Sequence, residues 1–263
     1  MPHLTAVQMM LAVLAGGVVG FTLGLIGGGG SILAVPLLLY VVGVHDPHTV
    51  IGSTALAVAV NAYVNLIPHW KQGNVHWKAA VAFAIPGAVG AYAGSVLGKL
   101  ANDKMLLFLF AILMLIIAAW MLRPKRNRNA AGRGPNVRIG RVVPTGLTTG
   151  LVSGFFGIGG GFLIVPGLVF SAGLSMAEAI GTSLFSVGTF GLTTAVSYAL
   201  SGLVDWLIVL LYIGGGLVGG VLGVYTCTRI GRNVRRLQVL FSGVLVAVAC
   251  YMLYVNLTAF HLL

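Results

Sequence analysis

Acidic residues are nearly missing from this chain. Its 263 residues include four carboxylates, Asp46, Asp103, Glu178 and Asp205, and all four fall at the edges of predicted loops. That scarcity argues against enzymes that rely on a placed proton donor and acceptor. No His-Glu-x-x-His and no Gly-x-Ser-x-Gly occurs either, so the usual zinc-hydrolase and serine-hydrolase signatures are absent. Cysteine is equally sparse. Cys227 and Cys250 sit within or at the end of predicted spans without metal-ligand spacing, and they read as small apolar packing residues. Charged residues make up only 7% of the chain, whereas hydrophobic residues make up 58% and mean hydropathy is +1.03. A soluble domain of this size could not keep so much apolar surface from water. The expected class is an all-α polytopic membrane protein, with the lipid bilayer as its first partner.

The formal net charge of +11 does not point to nucleic acid, because the basic residues lie in short loops between apolar segments and no basic soluble domain exists to carry such a function. Ahead of the first apolar run, Met1-Pro-His-Leu-Thr has no Lys or Arg, so no cleaved signal peptide is expected and the first segment is expected to be kept.

What the chain has in abundance is glycine, and one glycine cluster occurs twice. Residues 24–36 read Gly-Leu-Ile-Gly-Gly-Gly-Gly-Ser-Ile-Leu-Ala-Val-Pro, and residues 154–166 read Gly-Phe-Phe-Gly-Ile-Gly-Gly-Gly-Phe-Leu-Ile-Val-Pro, an offset of 130. Ile51-Gly-Ser-Thr54 pairs with Ile180-Gly-Thr-Ser183, and Gly87, Gly90 and Gly94 pair with Gly216, Gly219 and Gly223, at an offset of 129. A sustained offset defines two structural repeats. At about 20 residues per span, the apolar segments of the first half run 4–26, 28–43, 49–68, 79–98 and 105–122. Those of the second run 140–156, 158–173, 179–200, 206–228 and 237–257. The domain boundaries follow: repeat 1 over 1–122, a basic linker over 123–139 and repeat 2 over 140–263.

Loop charge predicts how the glycine-broken segments cross. If each crossed once, the loop with Arg123, Lys125, Arg126, Arg128, Arg133, Arg138 and Arg141 would face the opposite side from Arg229, Arg232, Arg235 and Arg236. If each crosses an even number of times, both loops share a side with Lys71 and Lys78, and only Lys99 and Lys104 remain opposite. The second arrangement obeys the positive-inside tendency. It gives two inverted-topology repeats of about five helical segments each, the first segments broken at the Gly-rich motifs, with basic loops cytoplasmic and both termini non-cytoplasmic.

Several features have structural readings. The ladders Gly16/Gly20/Gly24, Gly90/Gly94/Gly98 and Gly215/Gly219/Gly223 put small residues on one helix face for close packing. Trp70, Trp77 and Trp206 read as interfacial anchors. His45-Asp-Pro-His48 has metal-binding residue types, but the ligand set is incomplete and a turn with Pro47 opening a helix explains it; neither a metal nor any other cofactor is expected. No predicted span holds a central charged or imidazole side chain, although Glu178 and Asp205 stand at the rim as candidate coupling groups.

The doubled cluster needs more than packing. A helix begun after a break offers unpaired N–H groups and about half a positive charge, which attracts an anion without charged side chains. Two such starts, one from each inverted repeat, place a site near the midplane. The candidate substrate-binding residues are Gly27, Gly28, Gly29, Gly30, Ser31, Ser53, Thr54 and Asn61 in repeat 1, with Gly157, Gly159, Gly160, Gly161, Thr182 and Ser183 in repeat 2. Asn65 lies further along the helix of Asn61.

The two Gly-rich copies, each followed by Ile-Gly-Ser-Thr (51–54) or Ile-Gly-Thr-Ser (180–183), resemble the TauE/SafE-type sulfite exporter family over essentially the whole chain. The resemblance implies a bacterial inner-membrane permease for small sulfur-containing anions such as sulfite or an organosulfonate. The copies differ at Gly28/Ile158 and Ser31/Gly161, so the two sides of a site are not equivalent. The expectation is a secondary transporter or facilitator, exporting its anion. The alternatives are an importer of another small anion, a metal-ion permease, and a membrane-embedded sulfur-handling enzyme or partner subunit; a homo-oligomeric assembly is kept among the expected partners.

Overall fold

The computed structural model describes residues 4–122, 138–230 and 234–261, with side-chain surroundings described except at 29, 120–122, 227–230, 234–241 and 257–261. Every described element is helical. In chain order they are α1 (Ala6–Ile26), a 3-10 stretch (Gly27–Leu33), α2 (Ala34–Pro36), a π-helical stretch (Leu37–Val42), α3 (Pro47–Lys71), α4 (Trp77–Leu100) and α5 (Asp103–Leu122). The second half gives α6 (Ile139–Phe156), α7 (Gly161–Ala172), α8 (Met176–Ala199), α9 (Trp206–Ile230) and α10 (Val234–His261). Five of these, α1, α3, α4, α8 and α9, are long and apolar enough to cross a membrane. The segmentation expected from hydropathy therefore holds to within a few residues. The basic linker expected over 123–139 falls almost wholly outside the described residues, as do the side chains of Arg229, Arg232, Arg235 and Arg236.

Local chemistry sets the boundaries. Thr5 opens α1 with a capping box to Gln8, and Ser175 opens α8 with one to Glu178, each pairing two otherwise orphaned N–H groups. Asp46 accepts from the N–H groups of His48 and Thr49 while Pro47, which has no N–H to lose, sits at the first position of α3. That accounts for Asp46 and Pro47 in the His45–His48 stretch.

Packing exchanges the halves. α1 lies along α9 as α6 lies along α4, α3 packs on α9 as α8 packs on α4, and α3 meets α8 while α5 meets α10. Direction can be read from the glycines. Gly52 of α3 lies against Tyr198 and Leu203, near the end of α8, whereas Gly181 near the start of α8 lies against Asn74, just beyond α3. Corresponding helices thus run antiparallel. The α1–α9 pair runs parallel, with Gly16 against Tyr212, Gly20 against Gly216 and Gly24 against Gly220. Phe83, Gly87 and Ala91 of α4 meet Gly146, Gly150 and Gly154 of α6 in the same sense.

Both broken segments fold back on themselves. After α1 the chain reverses so that Gly30 rests on Thr22 and Leu23, and Gly43 returns to the level of Gln8. In the second half Gly160 rests on Ser153 and Gly167 comes back to Thr145. With α3 and α8 antiparallel, these two hairpins enter the bundle from opposite ends. Lys71, Lys78, Arg138 and Arg141 gather at one end and Lys99 and Lys104 at the other.

Helices in lipid gain nothing from hiding apolar surface from each other, so the close seams depend on backbone contact that only glycine permits. A Cβ on Gly20 would overlap the Gly216 carbonyl, whereas Gly214, on the same helix as Gly216, has nothing within 4 Å of its Cβ position. Gly20→Ala is expected to destabilise the purified protein by about 1–3 kcal/mol, the usual range for overpacking, and Gly214→Ala to leave it unchanged or slightly firmer. Melting of both variants in detergent checks the contrast.

Candidate functional site

The two hairpins meet at the middle of the bundle. Gly28 and Gly161 touch backbone to backbone, leaving no room for a Cβ on either. The Cβ position of Gly159 lies 3.1 Å from Val187 and 3.4 Å from Val58, valines that match across the repeats in the central turns of α8 and α3. The crossing therefore lies where the two repeats face each other, about equally far from both ends of the bundle.

The two glycine clusters solve the break differently: of the two half-helix starts expected, one forms afresh and the other is replaced by a 3-10 continuation. In the second copy Gly157, Gly159 and Gly160 adopt φ of +65°, +65° and +63°, a left-handed run that residues with a Cβ rarely adopt. It stops α6 cleanly and starts α7 afresh at Gly161, with Gly160 as an N-cap that has no side chain to offer. The N–H groups of Gly161 and Phe162 belong to a first turn, which has no intrahelical acceptors. In the first copy, among the described residues, Gly27 alone, at +73°, takes positive φ, and the chain continues as a 3-10 stretch through Ser31. Tighter turns there consume N–H groups that a fresh helix would expose. The Gly28 N–H reaches the Ser183 hydroxyl at 3.4 Å, and the Ser31 hydroxyl donates back to the Gly28 carbonyl at 2.9 Å. Among the described residues, the free helix start at the centre belongs to repeat 2.

The other candidate residues divide by depth. Ser183 belongs to the crossing through Gly28, and its hydroxyl donates to the Ile180 carbonyl at 2.7 Å. Gly27 packs on Ile180 and Ser183, Gly30 on α1, and Gly157 on Ile51; the surroundings of Gly29 lie outside the described residues. Ser53 and Thr182 are buried near opposite ends instead. The Ser53 hydroxyl accepts the N–H of Asp205 at 2.9 Å, and the Thr182 hydroxyl accepts the N–H of His76 at 3.0 Å. They fasten the matching loops before α9 and α4. Thr54 donates to the Val50 carbonyl within its own helix at 2.8 Å. Asn61 is 1% exposed, and neither atom of its carboxamide end has a hydrogen-bond partner.

Several buried polar groups are not among the residues that sequence pattern points to, Thr194, Ser197 and Tyr198 of α8 included. The Ser153 hydroxyl, directly under Gly160, and the Ser186 hydroxyl, one turn along α8 from Ser183, are buried without partners. For His69, hydropathy places the residue beyond the end of its span. α3 instead continues through Pro68 to Lys71, and His69 is buried beside the backbone of Gly24, with neither ring nitrogen in a well-formed hydrogen bond. Each such group left unpaired costs about 1–3 kcal/mol. The readable signal is a four-residue spacing, Asn61, Asn65, His69, on one face of a helix.

The rim carboxylates are engaged in structure. Glu178 accepts from the Ser175 N–H at 2.8 Å and pairs with His76 Nε2 at 2.8 Å. Asp205 accepts from the N–H groups of Leu207 and Ile208 at the start of α9. His48 pairs with Asp103 at 3.0 Å. Among the described residues, no group of three or more His, Cys, Asp or Glu side chains gathers to hold a metal.

Broken helices that meet between two repeats recur among transporters, and comparison with known proteins points to the same class. The model of the sulfite exporter TauE/SafE family matches residues 12–252. The chain belongs to the TauE/SafE family. It is 46% identical over 253 residues to a probable membrane transporter protein of Xylella fastidiosa, covering 95% of this chain and 97% of that one. It is 26% identical to the probable membrane transporter protein YunE of Bacillus subtilis, covering 94% and 98%. With a probable membrane transporter protein of Haemophilus influenzae it shares 29% identity, covering 74% and 75%. This TauE/SafE member is accordingly a multi-pass membrane protein of a transporter family.

Because Glu178 is about a third exposed, its ion pair with His76 is worth little. Glu178→Gln keeps a side-chain acceptor for the Ser175 cap and is expected to cost under about 1 kcal/mol. Transport should stay within twofold of the unmodified protein; a loss of transport at unchanged melting temperature would make Glu178 a coupling group.

Proposed function

We propose that this protein is a secondary transporter or facilitator that moves a small sulfur-containing anion, sulfite or an organosulfonate, outward across the bacterial inner membrane. The observation that carries the reading is the fresh start of α7 at the crossing. Its first-turn N–H groups and partial positive charge suit an oxyanion, and the unpaired hydroxyls of Ser153 and Ser186 supply neutral donors beside them. The antiparallel packing of α3 on α8 supports inverted repeats, and alternating access follows if the hairpins rock about their glycine crossing. The basic end of the bundle then faces the cytoplasm, and both termini face away from it.

Export needs no buried proton relay. An interior-negative potential drives a monoanion outward by roughly 2.3 kcal/mol per 100 mV, enough to hold a gradient of nearly fifty-fold. No observation favours the metal-permease or enzyme readings, since the His45–His48 stretch serves as a helix cap and ion pair.

Purified protein in liposomes loaded with labelled sulfite should release it at least tenfold faster than protein-free vesicles, and faster still when the inside is made negative. Gly159→Val, which forces a β-branched residue into a left-handed backbone against two valines, should abolish the acceleration. Release equal to that of protein-free vesicles would remove sulfite as the substrate, and unchanged release by folded Gly159→Val would return the glycines to packing.

A further inference from the structure

Both repeats contribute to the crossing, but the seams leading away from it are unequal. α3 carries Asn61, Asn65 and His69 at successive four-residue steps, all three buried. This face closes over the glycine seam between α1 and α9. A Cβ on Gly216 would overlap the Asn61 carboxamide, and one on Gly220 would lie 2.5 Å from Asn65 Oδ1. In the second repeat the same register, 129 residues on, carries Phe190, Thr194 and Tyr198. There the Phe190 ring fills the place over Gly87 that the Asn61 carboxamide takes over Gly216. One seam is lined by amides and an imidazole; in its counterpart an aromatic ring takes the innermost place, and the hydroxyls of Thr194 and Tyr198, also buried without partners, follow it.

Small-residue packing does not account for the polar seam. Asn61 is 1% exposed and His69 is 4% exposed, and none of their four polar side-chain atoms makes a well-formed hydrogen bond. Buried polar groups are normally hydrogen-bonded, and Phe190 demonstrates that this packing position accepts an apolar residue. The chemistry favours an anion. Carboxamide and imidazole N–H groups are donors, and no carboxylate borders the seam: Asp46, Asp103 and Asp205 lie at the other end of the bundle, and Glu178 is held by Ser175 and His76. The seam also joins the crossing, because Asn61 lies one turn along α3 from Val58, which borders Gly159.

We infer that the seam between α1, α3 and α9 is an anion-binding track running from the end that carries Lys71 and Lys78 to the crossing, with Asn61 as its inner donor and His69 nearer its mouth. This rests on the anion-transport reading above and adds which of two symmetry-matched seams the anion uses. The anion meets amide and imidazole donors on one side of the crossing and, on the other, hydroxyls set behind an aromatic ring, so the two halves of the transport path bind it unequally.

Calorimetric titration of the full-length detergent-purified protein with sodium sulfite, and separately with sulfoacetate, tests the track. Asn61→Leu should weaken binding of whichever anion binds by at least tenfold, at a melting temperature no lower than the unmodified protein's, because an unpaired amide is removed. Asn61→Ser provides the same test should the leucine variant not fold. Thr194→Val, at the matching register of the other seam, should bind within twofold. If both Asn61 variants bind as the unmodified protein does, or Thr194→Val weakens binding equally, the one-sided track is overturned while the transport reading stands. If the unmodified protein binds neither anion, both fall.

Discussion

Backbone-to-backbone contact between glycine-lined helices is the constraint on which this structure depends. In a bilayer the hydrophobic effect puts helices into lipid but does not press them together, so their association depends on how closely their backbones can approach. Gly16, Gly20 and Gly24 bring α1 onto α9; Gly146, Gly150 and Gly154 bring α6 onto α4. The same contact recurs between Gly28 and Gly161, where it joins the two hairpins. Helix pairing and the central crossing thus share one means of contact, and neither needs a charged side chain inside the bundle.

That economy explains the composition. A chain with four carboxylates has few groups with which to build a buried ion pair, and those it has are placed at helix starts and loop ends. Asp46 and Asp205 cap α3 and α9, Glu178 completes a capping box, and the pairs His48–Asp103 and His76–Glu178 tie opposite ends of the bundle. Hydroxyls do similar work in symmetry-matched places, with Ser53 and Thr182 each holding the N–H of a residue that opens the next long helix of the other repeat. Among the buried polar groups that these interactions leave unpaired, Asn61, His69, Ser153 and Ser186 lie around and beside the crossing, and Thr194, Ser197 and Tyr198 lie further along α8.

Much of this architecture is legible in the amino-acid sequence. The 129–130-residue offset defines the two repeats, hydropathy marks the segments, and glycine patterning identifies the hairpin tips. The asymmetry between the tips is harder to see. Four glycines in a row at 27–30 look more disruptive than Gly-Ile-Gly-Gly-Gly at 157–161, yet the longer run continues as a 3-10 stretch while the second stops its helix outright. Backbone dihedrals decide this, and glycine permits either choice. Position along the repeats pairs Ser53 with Thr182 correctly, but their depth depends on helix tilt and on which loop N–H lies opposite, and sequence holds neither. His69 escapes notice for a simpler reason: Pro68 suggests the end of a helix, whereas α3 runs on to Lys71.

On the proposed mechanism, the fresh helix start at Gly161 holds the anion through backbone N–H groups. Hydrogen–deuterium exchange, read by mass spectrometry on peptides spanning 157–164, addresses those groups directly. In saturating sulfite that segment should exchange more slowly than in sulfite-free buffer, while the matching 3-10 segment around Gly28–Ser31 changes little, because its N–H groups are already engaged. Unchanged exchange at 157–164, under conditions where sulfite binding is measured independently, would contradict the claim.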